Sequence, residues 1–137
     1  MMGIFSIRDQ PVKILFDSGA THSFINRKTL SKLGLELCHT NKAYMISTPG
    51  GKTISNAMTR RVPLKIGSLI IQTNLLTLSL EGMDVILGMN WMNQHKVILD
   101  ISEGRLEINS PTVGITNLYL PPRDCVDPCA FAEITPT

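Results

Sequence analysis

The chain has 137 residues, 43% hydrophobic and 18% charged, with 13 Lys and Arg against 11 Asp and Glu. That is the profile of one globular domain, long enough to bury a core without a disulfide or metal and too short for a two-lobed enzyme. A net charge of +2, aromatic residues at only 5% and no apolar run of about 18 residues argue against a nucleic-acid surface and a membrane span.

Three cysteines, Cys38, Cys125 and Cys129, cannot all pair with one another, and no basic-then-apolar leader opens the chain. The expected setting is therefore reducing, intracellular and cytoplasmic. Cys125 and Cys129 are separated by three residues with no paired histidine motif, a poor zinc signature, so neither metal nor cofactor is expected.

In chain order, apolar runs at 4–7 and 12–16 flank Arg8-Asp9-Gln10-Pro11 and predict a hairpin. Asn26 is placed to cap a short helix over 27–33, with Leu30 and Leu33 inward and Gly34 ending it. Strands at 44–47 and 53–58 flank the turn cluster Thr48-Pro49-Gly50-Gly51-Lys52 and predict a longer hairpin. Further strands are expected at 62–66 and 69–80 around Gly67-Ser68. A buried strand at 84–88 follows, then a short helix over 89–94 and a closing hairpin of 96–101 with 105–108. Five of the eight prolines fall beyond Ser110. The division expected is therefore a folded domain over 1–109 and a Pro-rich linker or tail over 110–137.

The stretch richest in chemistry is Ile14-Leu15-Phe16-Asp17-Ser18-Gly19-Ala20. A carboxylate directly after a wholly apolar strand is forced toward the interior, where it must be solvated, hydrogen-bonded, paired or protonated. The glycine two residues on lets the backbone turn tightly and approach a ligand. Taken alone, these residues are equally compatible with an Asp that only caps a turn.

The segment from Leu15 to Ile25 resembles the active-site segment of the retroviral-type (retropepsin-like) aspartic proteases, in the version carried by plant gypsy-type LTR retrotransposon Gag-Pol polyproteins. Asp84-Val85-Ile86-Leu87-Gly88-Met89 is similar to that family's second signature, and the Pro49-Gly50-Gly51 hairpin falls where the family carries its flap. The resemblance covers roughly residues 4 to 108. It implies a small closed all-β barrel with one or two short helices, working as a homodimer in which each subunit gives one Asp17 to a shared dyad. It also implies an aspartic endopeptidase acting on an extended polyprotein, with mildly acidic pH preferred. Asp17, Ser18 and Gly19 would then be the catalytic segment. Ala20, Gly50, Gly51, Ile86, Leu87 and Gly88 would form the substrate-binding set, with Gly50 and Gly51 at the flap tip and Leu87 and Gly88 supporting the catalytic loop from beneath, and the partners would be a second copy and a peptide. Where many retroviral enzymes place an acidic residue and an Arg as an interface ion pair, this chain has Thr21 and Met89, so neither charge is left alone. Many plant-element relatives carry Asp where Asn90 stands here.

Rival readings fit less well. Ser18 and His22 are close in sequence, but Gly-x-Ser-x-Gly is absent. Gly50-Gly51-Lys52-Thr53 ends like a phosphate-binding loop, but Ile46 stands where its first glycine belongs. His39 and His95 read as exposed polar residues, and Met83, Met89 and Met92 around Trp91 as core filler. The alternative kept open is a catalytically inactive or domesticated module that retains the fold for dimerisation or peptide binding.

Overall fold

A computed structural model describes residues 1–48, 51–120 and 133–135 of the chain. Strands β1 (Met2–Ile7) and β2 (Gln10–Phe16) form the first hairpin, with Ile7 opposite Gln10, so Arg8 and Asp9 alone make the turn. Both take positive φ, 49° and 65°, the backbone of a tight connection whose twist matches that of paired strands.

From this hairpin the sheet curls into a closed barrel. β2 pairs in parallel with β7 (Val85–Leu87), and β7 pairs antiparallel with β3 (Phe24–Asn26). β3 runs parallel to β6 (Leu69–Leu78), β6 antiparallel to β5 (Gly51–Ile66), and β5 returns to β1 at Leu64 and Lys65. Burial follows from the continuous apolar runs. Ile14 and Phe16 on β2 join one core with Val85, Leu87 and Trp91, whereas Leu15 points the other way into a second core with Ala20, Phe24, Ile46 and Ile86. A strand buried on both faces needs the unbroken apolar pattern seen at 14–16, rather than alternation.

Helix α1 (Arg27–Lys32) starts where expected: the Asn26 side-chain oxygen accepts from the Lys28 N–H at 3.2 Å, and Gly34 follows the helix at φ 64°. The second hairpin is longer than the sequence implies. β4 (Cys38–Thr48) begins six residues before Tyr44, because Cys38 and His39 pair with Met58 and Ala57 across a register shift that the polar run 39–42 conceals. The strands expected at 53–58 and 62–66 are a single strand, β5. Arg60 and Arg61 interrupt its apolar pattern at an irregularity where Arg61 has φ 54° and its N–H donates to the Asn74 side-chain oxygen at 3.0 Å. Pro49 and Gly50, expected at the hairpin tip, lie outside the described residues.

After helix α2 (Met89–Gln94), strands β8 (Ile98–Asp100), β9 (Arg105–Ser110) and β10 (Gly114–Tyr119) form a separate three-stranded sheet. Its turn is pinned by Asp100, whose carboxylate accepts from Ser102 Oγ at 2.7 Å and the Glu103 N–H at 3.2 Å. These bonds, with the nearby Arg105 charge, hold the carboxyl below its ordinary range. β10 lies beyond Ser110, in residues read from sequence as tail; Ser110 pairs with Gly114 and Arg105 with Tyr119 at the two ends of the ladder. A last strand, β11 (Glu133–Thr135), pairs antiparallel with β4. Cys38 is free and half-buried, whereas Cys125 and Cys129 lie outside the described residues. Among the described residues no helix is long and apolar enough to cross a membrane.

His95 departs from the expectation of an exposed polar residue: it is 3% exposed. Its Nδ1 lies 3.0 Å from Ser110 Oγ, and its ring sits 5.0 Å from that of Trp91. Trp91 in turn donates from Nε1 to Thr73 Oγ1 at 3.1 Å, so the end of α2 is tied to β9 and β6 by buried polar contacts. Burial pushes the His95 pKa down from 6.5. The unfolded chain therefore binds the proton more readily, and stability from this site is fully present above about pH 6.5 and is lost as pH falls through the lower folded-state value. Thermal melts should show a fall in Tm from pH 7 to pH 5 that is shallower in His95→Asn, even if that variant melts lower throughout. An unchanged slope in the variant would contradict the assignment.

Candidate active site

Asp17 emerges at the end of β2, where Phe16 pairs with Leu87 and the Asp17 N–H donates to the Leu87 carbonyl at 3.0 Å. The residue is 4% exposed, yet Ser18 and Gly19 beside it are exposed, so the carboxyl sits just beneath a surface loop. The turn is held from within: Asp17 Oδ1 accepts from the Gly19 N–H at 2.8 Å, and the Ala20 N–H donates to the Asp17 carbonyl at 3.1 Å. A Cβ on residue 19 would stand 3.2 Å from that same Oδ1, which gives a local reason for glycine there.

The second signature supports this loop from the opposite side. The Met89 N–H donates to the Ala20 carbonyl at 2.7 Å and the Asn90 N–H to the Thr21 carbonyl at 3.3 Å, so the first turn of α2 is tied to the Asp17 loop. The Gly88 N–H donates to Ser23 Oγ at 3.0 Å, and Ser23 Oγ donates to Asn90 Oδ1 at 2.7 Å. Asn90 thus accepts from the same hydroxyl that takes the Gly88 N–H. At the opposite end of β7 from the loop, the Asp84 carboxylate accepts from Thr29 Oγ1 at 2.6 Å and from the Lys13 N–H at 2.8 Å, joining α1, β2 and β7. The strand under the Asp17 turn is therefore fixed at both ends.

Of the residues singled out in sequence, Asp17, Ser18, Gly19, Ala20, Ile86, Leu87 and Gly88 come together here. Ala20, Ile86, Leu87 and Gly88 are buried and hold the loop from inside. Gly51 lies instead at the start of β5, in the hairpin, and Gly50 lies outside the described residues.

Sequence reasoning missed a small cavity of about 120 Å³ beside the loop, lined in part by His22, Ser23, Tyr44, Met58, Leu76 and Asn90. The rings of His22 and Tyr44 meet edge to face at 5.2 Å, which brings β4 down onto the Asp17 loop. His22 Nδ1 lies 3.0 Å from Thr21 Oγ1, and burial lowers the His22 pKa. Nothing in the local pattern could have paired His22 with a tyrosine in a strand folded from elsewhere.

A closed barrel whose strand delivers a buried Asp into an Asp-Ser-Gly turn, with a glycine-ended strand beneath it, defines an acid-protease-type domain. The chain belongs to the retroviral aspartyl protease family, whose family model matches residues 1–112. Among solved structures it is similar to the retroviral protease-like domain of Ddi1 from Leishmania major, with a TM-score of 0.61 and 21% identity, covering 85% of this chain and 91% of that one. Among curated proteins, the Leishmania major protein DDI1 homolog is 23% identical over 113 residues, 82% of this chain and 28% of the relative. DNA damage-inducible protein 1 from Cryptococcus neoformans is 27% identical over 108 residues, 78% of this chain and 25% of the relative. The chain thus spans about a quarter of the length of these curated relatives.

Proposed function

We propose that this domain is an aspartic endopeptidase, of the kind carried by plant gypsy-type retrotransposon polyproteins, that acts as a homodimer with one Asp17 from each copy. The observation that carries the reading is the placement of Asp17, nearly buried but directly under the exposed Ser18-Gly19 turn. This domain holds a single Asp-Ser-Gly, which supports a second carboxylate supplied by another copy. The retrotransposon affiliation is supported by the residue pattern from Leu15 to Ile25, whereas the relatives found are DDI1 proteins.

Two carboxyls about 3 Å apart cannot both ionise readily, so the pair shares one proton. The ionised member takes a proton from a bound water, whose oxygen then bonds to the peptide carbonyl carbon. The protonated member donates a hydrogen bond to the developing oxyanion. As the tetrahedral carbon collapses, a proton passes to the leaving nitrogen and the C–N bond breaks. The β4–β5 hairpin, resting on the loop through Tyr44 and Ile46, serves as the flap over an extended peptide.

The test is specific activity against protein concentration, read beside the sedimentation mass. Activity per chain should rise through the concentration range where the mass doubles, then level off. Full activity per chain in a monomeric sample would overturn the dimer.

A further inference from the structure

We propose that the outer edge of β4 is a docking edge for extended peptide, and that the chain's own residues Glu133–Thr135 occupy it, so that a substrate must displace a tethered strand. Strand β4 has two edges. One pairs with β5, from Tyr44 opposite Ser55 to Thr48 opposite Gly51. The other, over Met45, Ile46 and Ser47, pairs with β11, with Thr135, Ile134 and Glu133 opposite them.

Two contacts place this stretch of β4 against the Asp17 loop. Ile46 is fully buried in the cluster that contains Ala20, whose N–H closes the Asp17 turn, and Ile86, paired with Leu15 on the strand leading into it. Tyr44, on the same face two residues earlier, meets the His22 ring. A strand hydrogen-bonded along 45–47 therefore runs beside the part of the hairpin that rests on the site. An exposed strand edge is a template for any extended segment, because backbone pairing supplies affinity with little demand on sequence. A segment of the same chain competes at the effective concentration set by its tether, which lowers the apparent affinity of an added peptide by the fraction of molecules with the edge open.

The inference rests on the proposed peptide-cleaving function only for its kinetic arm. Adjacent strand residues point their N–H groups in opposite directions, so the full chain carrying Glu133→Pro with Ile134→Pro loses one ladder donor whichever alternation holds. Exchange of those amides among 45–47 that face β11 is expected to quicken by about tenfold or more in this variant. A labelled synthetic peptide of residues 130–137 should bind it at least about fivefold more tightly than it binds the unaltered chain. Both measurements can be made on an Asp17→Asn background, where turnover plays no part. Unchanged exchange of those amides, or equal peptide affinity for the two chains, overturns the docking edge. In the catalytically intact pair, KM for an extended apolar-centred peptide should fall with kcat unchanged; an unchanged KM alongside a tighter peptide would overturn the competition with substrate.

Discussion

Replacing Gly88 with alanine is expected to destabilise the domain by about 3 kcal/mol or more, toward the upper end of overpacking costs, because the atoms met are backbone that cannot swing away. A Cβ there would lie 2.2 Å from the His22 carbonyl oxygen and 2.6 Å from that of Ala20. Both belong to the segment that follows Asp17, and the Ala20 oxygen is already bonded to the Met89 N–H. Relief requires the Asp17 loop and β7 to part, which also strains the bond from the Gly88 N–H to Ser23 Oγ. Denaturant unfolding with far-ultraviolet circular dichroism would measure the loss. Gly82→Ala is the matched control: its φ of 70° carries a backbone penalty of about 1 kcal/mol, but no atom lies within 4 Å of the added carbon. Equal stabilities for the two variants would show that close packing beneath the loop is not what requires glycine at 88.

The contrast between Gly88 and its surroundings shows what could be read from sequence. Asp17-Ser18-Gly19 and Leu87-Gly88 stand out because each closes an apolar run that the barrel buries on both faces, a local pattern with a local cause. The cap at Asn26 and the turn at Gly34 were legible for the same reason. What escaped detection depends on partners brought together by topology. Ser23 and Gly88 are 65 positions apart, and neither announces the other. His95 looks like an ordinary polar residue until β9 brings Ser110 to its ring. The strand at Gly114–Tyr119 alternates in burial, but Pro111 before it and Pro121-Pro122 after it give the region the texture of a linker. Continuous β5 was hidden by Arg60-Arg61, which a single irregularity turns outward without ending the strand.

Asp17→Asn carries the largest expected effect on function. Peptide cleavage should fall by about a thousandfold or more, since the change removes both the base and the shareable proton. The fold should survive. The amide oxygen of Asn can still accept from the Gly19 N–H as Asp17 Oδ1 does, and the N–H donated to Leu87 is that of the main chain. A melt within a few degrees of the parent would separate loss of chemistry from loss of structure. A variant that cleaves as well as the parent would remove Asp17 from the reaction altogether.

The same variant provides the most direct measurement of the central claim, that two copies of Asp17 act as one site. Increasing amounts of Asp17→Asn are mixed with a fixed amount of the unaltered chain, at concentrations where both are dimeric and have re-equilibrated, and cleavage is followed. Random pairing places most unaltered chains opposite a partner that carries the substitution, so a threefold excess of the variant should leave roughly a quarter of the starting activity. Activity that stays constant whatever the excess of Asp17→Asn would mean that each chain works alone, and would contradict the shared dyad.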